Sequence, residues 1–204
     1  KGVVYHHRGA HLNAVNNALS WELPKHPVYL WTLPMFHCNG WCFPWTLAAT
    51  AGVSVCLRHV QAAAIYGALR EHKVSHFCAA PIVLNMLNNA DPALKQGLDH
   101  PVKAMTAGAA PPATVIAGME AMGIAVTHVY GLTKTYGPCV VCEPQRRWQG
   151  QDATTLSRLK ARQGVASPLQ GEMRVINPVS GEPVPMDGKT LGEIVLRGNI
   201  VMKG

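Results

Sequence analysis

The chain has 204 residues, of which 48% are hydrophobic and only 14% charged. A disordered chain shows the reverse balance, so this composition predicts a packed core. Lysine and arginine number 18 against 11 aspartates and glutamates, and the resulting net charge of +7 favours anionic partners such as nucleotides and phosphates. The sequence has no signal peptide and no apolar run long enough to span a bilayer. Both ends read like the interior of a longer protein, so we expect a piece of a larger chain.

Short apolar runs alternate with helical patterns over most of the chain. The predicted strands cover residues 28–33, 53–57, 75–80, 102–107 and 124–129, and the predicted helices cover 39–51, 61–73, 82–89 and 111–122. This alternation is typical of a parallel sheet that is flanked by helices and joined by right-handed crossovers. Such sheets bind ligands at the carboxyl ends of their strands. The loops after Leu33, Ala80, Ala107 and Val129 are therefore the candidate site.

The character of the sequence changes after Cys142. Residues 143–162 are polar and basic, and two strand patterns follow at 171–176 and 192–197, joined by a segment rich in proline and glycine. The predicted fold class is thus an α/β domain with a parallel sheet over residues 1–144, followed by a small β subdomain over 145–204. The basic run carries a single aromatic residue, Trp148, so a solvated surface is favoured over nucleic-acid binding.

Six cysteines are spread along the chain. A chain of this size and apolar content needs no disulfide framework, so we expect reduced thiols and a cytoplasmic location. Cys139 and Cys142 have the spacing of a metal pair, but on a strand they point to opposite faces, which disfavours zinc. A Cys/His metal module stays open as a third hypothesis, to be decided by elemental analysis.

Two predicted strand ends carry residues suited to a nucleotide. Gly108, Ala109 and Ala110 allow a flat ligand to approach the backbone, and the helix that begins near Pro111 presents its positive end to an anion. A tight strand-to-helix turn has the same pattern, so this loop alone decides nothing. After the next strand, Tyr130 can stack on a base and residue Thr133 can donate to a phosphate.

These motifs resemble those of the adenylate-forming superfamily, which includes acyl-CoA synthetases, luciferases and the adenylation domains of peptide synthetases. The resemblance rests on segments that occur in family order: Lys-Gly-Val at 1–3, Leu-Pro-Met-Phe-His at 33–37, Gly-Ala-Ala-Pro at 108–111, Tyr-Gly-Leu-Thr at 130–133 and Gly-Glu-Ile-Val-Leu-Arg-Gly at 192–198. Residues 162–164 and 177–193 are most similar to acyl-CoA synthetases, in particular medium-chain or methylthiopropionate-type CoA ligases.

The resemblance implies an activity for the parent protein. It would use ATP to activate a carboxylic or fatty acid to acyl-AMP, release pyrophosphate, and pass the acyl group to CoA, with Mg²⁺ at the phosphates. Residues 1–144 would bind nucleotide and acyl group, and 145–204 would belong to a β-barrel-like part. The missing C-terminal domain of the same chain would complete the reaction, so the 204-residue piece is expected to show no turnover. The association of two copies into a homodimer is left open.

The same resemblance implies roles for single residues. Lys1 would end the phosphate loop, His37 would line the carboxylate site, and Thr133 would touch the phosphates. The adenine would be bound by a set drawn from two loops: Gly108, Ala109, Ala110, Pro111, Tyr130 and Gly131. The acyl pocket would be bordered by His37, Trp41 and Gly108.

One position departs from the family pattern. The motif places a Mg²⁺-binding glutamate where this chain has Lys134, and an ammonium group cannot ligate a cation. An impaired or mutated enzyme, an ammonium that partly replaces the metal charge, and a non-catalytic nucleotide or acyl binder are the three interpretations, of which impairment is favoured. Mg²⁺-dependent pyrophosphate release by the full-length protein distinguishes a ligase from a pseudoenzyme.

Overall fold

The computed structural model describes residues 2–203, so Lys1 lies outside the described residues. The helices are α1 (His7–Ser20), α2 (Cys38–Trp41), α3 (Phe43–Ala49), α4 (Ala62–Glu71), α5 (Pro81–Asn88), α6 (Pro92–Lys95), α7 (Ala113–Ala121) and α8 (Ala153–Lys160). The strands are β1 (Val28–Trp31), β2 (Val53–Cys56), β3 (His76–Ala79), β4 (Val102–Thr106), β5 (Ile124–Leu132), β6 (Gly137–Val141), β7 (Val165–Ala166), β8 (Glu172–Ile176) and β9 (Glu193–Arg197).

Within residues 2–203, seven strands form one sheet in the order β2-β1-β3-β4-β5-β6-β7. The pairs from β2 through β5 are parallel, which confirms the predicted α/β class. Strands β6 and β7 extend the sheet in antiparallel fashion, and the sequence patterns do not predict this extension. Strand β5 is also longer than predicted, because it continues through Leu132 into this antiparallel pairing.

Each face of the sheet has its own hydrophobic core. Alternate strand residues point to opposite faces, so Leu30 packs under α4, α5 and α7, while its neighbours Tyr29 and Trp31 point to the other face. The second core is rich in aromatic rings. Tyr29 stacks on Phe43 with ring centroids 4.9 Å apart, and Trp21 meets Phe43 edge-on at 5.5 Å. Helix α3 is thereby fixed over β1.

The predicted helix over 39–51 is wrong in its first turn. Backbone φ is positive at Cys38, Asn39, Gly40, Trp41 and Cys42, so α2 is a left-handed turn, and the right-handed helix α3 begins only at Phe43. As a result, the two tryptophans of this region do not share one helical face, as their spacing of four had suggested. The first is buried, and Trp45 is exposed.

The last third of the chain mixes sheet, helix and a separate hairpin. Helix α8 packs on α7 through an ion pair between Lys160 and Glu120, with Nζ and Oε1 2.6 Å apart. Strand β7 joins the large sheet, whereas β8 and β9 pair only with each other. The domain boundary at residue 144 stays a prediction. All six cysteines lie among the described residues and are free, and no helix in the described range is long and apolar enough to cross a membrane.

A matched pair of glycine substitutions tests the packing at the end of β5. A Cβ at Gly131 would lie 2.0 Å from the carbonyl oxygen of Gly137, whereas a Cβ at Gly67 in α4 has no atom within 4 Å. We expect Gly131→Ala to lower the thermal midpoint, because the β-bulge at this point must open to admit a methyl group. Gly67→Ala should stabilise the protein by about 0.5–1 kcal/mol. Thermal unfolding of both variants and the wild type measures these changes. An unchanged midpoint for Gly131→Ala would contradict the close approach of Gly131 to the Gly137 carbonyl.

Candidate functional site

The loops after β4 and β5 lie side by side at the carboxyl edge of the sheet. Thr106 pairs with His128, so the turn that follows β4 is adjacent to the end of β5. Gly108 has φ +90° and open space around its Cβ position, and Ala109 and Ala110 are exposed. The Thr106 hydroxyl is buried without a hydrogen-bond partner among the described residues. This edge therefore offers an open backbone surface at 108–110 to a flat ligand.

A tight turn at 133–136 closes the neighbouring loop. The Thr135 hydroxyl accepts from the Leu132 amide at 2.9 Å and is 2.9 Å from the Gly137 carbonyl, which fixes the turn from inside. Tyr136 then takes a left-handed conformation with φ +58°. Thr133 and Lys134 are exposed at the tip. The two side chains that the resemblance assigns to the phosphates are thus presented to solvent by a rigid turn.

The left-handed turn α2 contacts this loop directly. The Cys38 thiol donates to the Thr133 hydroxyl at 3.3 Å. The Tyr136 hydroxyl accepts from the Asn39 amide at 2.8 Å and from the Trp45 indole at 2.5 Å. His37, just before the turn, is exposed. The segment that carries His37 and the segment that carries Thr133 are therefore joined by side-chain hydrogen bonds.

Both ends of the described chain reach the same place. The Tyr5 ring stacks on Tyr136 with centroids 4.1 Å apart, and its hydroxyl donates to the Thr133 carbonyl. The Met202 amide donates to the Lys134 carbonyl at 2.7 Å, and the Lys203 amide donates to the carbonyl of Val4 at 2.8 Å. We call the meeting of residues 2–5, 37–42, 133–136 and 202–203 the four-segment junction. Four stretches that are distant in sequence, and that carry the predicted motifs, converge there.

The remaining predicted site residues differ in accessibility. Trp41 is buried in the aromatic core together with Leu33 and Ala107, which follow β1 and β4, and with Val129 of β5. Tyr130 is half-buried and packs against the cluster that contains Val140 and Ile200. Pro111 is buried and Gly131 half-buried. The contacts of these residues with nucleotide or acyl group stay predictions.

Several residues of the junction were missed by the sequence reading. Tyr136 contacts Tyr5, Asn39 and Trp45. In addition, Asn13 and Asn17 of α1 donate hydrogen bonds to backbone carbonyls of the junction. The signal for the asparagines was present in the sequence. Three asparagines at positions 13, 16 and 17 recur at helical spacing, where a helix packed on a core normally presents apolar side chains.

Burial keeps two groups of the junction, the Tyr5 hydroxyl and the Cys42 thiol, in their protonated forms. Burial, reinforced by nearby Cys38 and Tyr136, raises the pKa of Tyr5 to about 12, and burial raises the pKa of Cys42 to about 12. These groups therefore act as neutral hydrogen-bonding groups near pH 7. The described residues contain no group of three His, Cys, Asp or Glu side chains that could hold a metal ion. Position 134, where the family resemblance implies a carboxylate, carries a lysine whose ammonium group cannot ligate Mg²⁺.

Comparison with known proteins assigns the class. The model of the AMP-binding enzyme family matches residues 1–204, and the chain belongs to that family. It is 53% identical over 207 residues to the peroxisomal acetate/butyrate–CoA ligase AAE7 of Arabidopsis thaliana, and 49% identical over 204 residues to the 2-methylpropanoate–CoA ligase CCL4 of Humulus lupulus. Both matches cover 100% of this chain and 36% of the relative, so the chain spans about a third of their length.

Solved structures confirm the fold. The inhibitor-bound N-terminal domain of FACL13 from Mycobacterium tuberculosis superposes with a TM-score of 0.82 at 23% identity, over 100% of this chain and 48% of that domain. O-succinylbenzoate CoA synthetase from Bacillus subtilis, solved with ATP and magnesium, gives a TM-score of 0.81 at 19% identity, over 100% of this chain and 39% of the other. The chain therefore has the fold of part of the N-terminal domain of adenylate-forming enzymes.

Removing one hydroxyl from the junction and one from the core should have different effects. Tyr136→Phe removes the acceptor of the Asn39 amide and of the Trp45 indole, both of which lie on exposed residues, so we expect a loss of about 0.5–1.5 kcal/mol. Tyr29→Phe removes a buried hydroxyl that has no partner in the described structure, so it should be neutral or stabilising. Denaturant unfolding followed by tryptophan fluorescence measures both. Equal effects of the two changes would mean that the Tyr136 hydroxyl does not hold the junction together.

Proposed function

We propose that the full-length protein is an AMP-forming acyl-CoA synthetase. The observation that carries the proposal is the four-segment junction, where hydrogen bonds join the segments that carry His37 and Thr133 to each other and to both ends of the described chain. The relatives that match the entire chain are CoA ligases. They support the same reaction class.

In the proposed reaction, a carboxylate oxygen attacks the α-phosphorus of ATP and expels pyrophosphate. The acyl-adenylate carbonyl is then attacked by the CoA thiol, the thioester forms, and AMP leaves. The 108–111 loop and Tyr130 would bind the adenine, and Thr133 would donate to phosphate oxygens. His37 would line the carboxylate site. Preorganised donors of this kind stabilise the charge that develops on the leaving pyrophosphate.

The proposed acyl substrates are short carboxylic acids. The named substrates of the two relatives above are acetate, butyrate and 2-methylpropanoate. Trp41 is buried in the same hydrophobic cluster as Leu33 and Ala107, which follow β1 and β4, and its indole would limit the room for a long acyl chain. We therefore propose short-chain acids as substrates, in place of the medium-chain acids that the sequence resemblance implies.

The direct test uses the full-length protein with ATP, Mg²⁺ and a panel of acids from acetate to octanoate. We expect acid-dependent exchange of pyrophosphate into ATP, and thioester formation only after CoA is added. The 204-residue chain assayed beside it should form no acyl-CoA. The alternative is a non-catalytic nucleotide or acyl binder, which Lys134 suggests. It would be favoured if no acid supports pyrophosphate exchange at an ATP concentration at which the protein still binds ATP.

The cytoplasmic location inferred from the cysteines stays a prediction. One of the relatives above is peroxisomal by name, so the peroxisome should be tested beside the cytoplasm. Fluorescent tagging of the full-length protein at either end distinguishes the two compartments. Dimer formation also stays a prediction, and sedimentation of the full-length protein measures it.

Reversal of the unusual lysine tests the role of position 134. Lys134→Glu in the full-length protein should raise the rate of acyl-adenylate formation, because a carboxylate offers Mg²⁺ an oxygen ligand that an ammonium group cannot. A well-placed electrostatic contact contributes on the order of 10²–10³ in rate. The rate of pyrophosphate release, followed at saturating ATP over a Mg²⁺ titration, measures this effect. Lys134→Gln is the control, because it removes the charge without adding a carboxylate. A rate that stays the same or falls in Lys134→Glu would show that the lysine is not a lesion.

Truncation of Trp41 tests the size of the acyl pocket. Trp41→Ala removes the indole that is buried in the cluster with Leu33 and Ala107, so the preference among acids should shift toward longer or branched chains. Trp21→Ala removes an equally buried indole of the same core near His76, at the opposite end of β3, and should leave the preference unchanged. Both variants should lose about 3–5 kcal/mol of stability. The same preference in both variants would assign Trp41 to the core alone.

A further inference from the structure

Helix α1 buries three amide side chains that bond outside the helix. Asn13, Asn16 and Asn17 are exposed by 0%, 1% and 1%. Buried amides are costly unless they are hydrogen-bonded, and an apolar residue would serve helix packing better. A row of buried asparagines therefore indicates that their partners matter.

Two of the three amides bind the backbone of the four-segment junction. The Asn17 Nδ2 donates to the Trp41 carbonyl at 2.9 Å and lies 3.3 Å from the Thr46 hydroxyl. The Asn13 Nδ2 donates to the Tyr136 carbonyl at 2.9 Å, with the Thr135 carbonyl at 3.4 Å. The contacts are directional and fully shielded from water, so each fixes the carbonyl that it binds.

The third amide bonds elsewhere. The Asn16 Nδ2 donates to the Ser167 hydroxyl at 2.8 Å, and its Oδ1 accepts from the Leu169 amide at 3.2 Å. These partners follow strand β7 and belong to none of the four segments of the junction. Asn16 thus offers a control that matches the other two in residue type, helix and burial.

The backbone that Asn17 holds would not keep its shape by itself. Four non-glycine residues of α2 and its end, Cys38, Asn39, Trp41 and Cys42, have positive φ. Each is unfavourable for an L-residue because Cβ approaches the carbonyl oxygen, and such conformations persist only where surrounding contacts impose them. The Asn17–Trp41 bond supplies one such contact, at the turn that presents His37.

We propose that Asn13 and Asn17 are positioning residues for the two substrate loops, Asn17 acting on the acyl loop at 37–41 and Asn13 on the nucleotide loop at 133–136, which also contact each other. The inference rests on the proposed function for the meaning of the loops. Neither amide touches a substrate; each acts through the carbonyl that it binds. Since both amides project from one helix, the relative placement of the two loops is set by their spacing on α1.

The test measures KM for both substrates in full-length variants. Asn17→Ala should raise KM for the carboxylate roughly 10- to 100-fold, as expected for a displaced binding loop, and raise KM for ATP by a clearly smaller factor, because the two loops are only partly coupled through their hydrogen bonds. Asn13→Ala should show the reverse. KM is independent of the fraction of folded enzyme, so a purely structural loss does not produce this split. Serine variants at both positions, which let water replace the amide, are measured where alanine variants do not fold.

Asn16→Ala is the matched control, and both KM values should stay within about threefold of wild type. Asn16 also has a long contact of 3.4 Å to the Asn13 side chain, so Ser167→Ala, which removes only the partner of Asn16, is made beside it. A third measurement needs no activity. Cys38 is half-buried in the turn, and site-resolved alkylation should be faster in Asn17→Ala than in Asn16→Ala.

The outcomes separate this inference from the proposed function. Selective alkylation of Cys38 in Asn17→Ala, in a protein that activates no acid, would uphold the loop-holding role and refute the ligase. Activity in the wild type, with both KM values shifted equally in all three asparagine variants, would refute the positioning role and leave the ligase intact. Unchanged KM values and alkylation rates in Asn13→Ala and Asn17→Ala would also overturn it.

Discussion

The loops of this structure depend on three buried asparagines of helix α1, whose amides need hydrogen-bond partners. Helix α1 packs against α3 and β6, and the amides on its inner face are satisfied by the carbonyls of Trp41 and Tyr136 and by the hydroxyls of Thr46 and Ser167. Hydrophobic burial drives the sheet and its covering helices together, but it is non-directional and tolerates small shifts. A hydrogen bond of 2.9 Å to a single carbonyl oxygen, by contrast, tolerates little displacement of that oxygen. The apolar cores therefore stabilise the domain, while the amides of α1 determine where its loops lie.

The parallel sheet and one glycine bring those loops within reach of each other. Because β1, β3, β4 and β5 run in the same direction, their following loops share one edge. The chain then reverses into β6, and this reversal places the 133–136 turn against α2. A Cβ at Gly137, where φ is +119°, would lie 2.8 Å from the Trp41 carbonyl oxygen. Only glycine combines that conformation with that approach, so the contact between the turn at 37–42 and the strand that follows the 133–136 turn depends on Gly137.

Much of this architecture could be predicted from the sequence, and the failures have physical reasons. Apolar runs bounded by Pro and Gly located β1 through β5 because local patterning and tertiary burial agree there. The turn at Cys38–Trp41 could not be predicted, since consecutive non-glycine residues in left-handed conformation contradict local preference and are imposed by long-range contacts. The short strand at Val165–Ala166 carries too few residues for a pattern. Contacts of Tyr136 were missed because they join residues about 90 or more apart in sequence.

The unusual residue at position 134 shows how far fold and chemistry are separable in this loop. The Lys134 side chain is exposed, and it makes no ion pair or hydrogen bond with the part of the chain that the structure describes. Its backbone carbonyl, by contrast, accepts from the Met202 amide and so ties the end of the hairpin segment to the junction. Any residue at this position can make that bond. The loop can therefore keep its shape with lysine in place of the carboxylate that the family resemblance implies. A change of charge here alters what the site attracts without disturbing how the site is built.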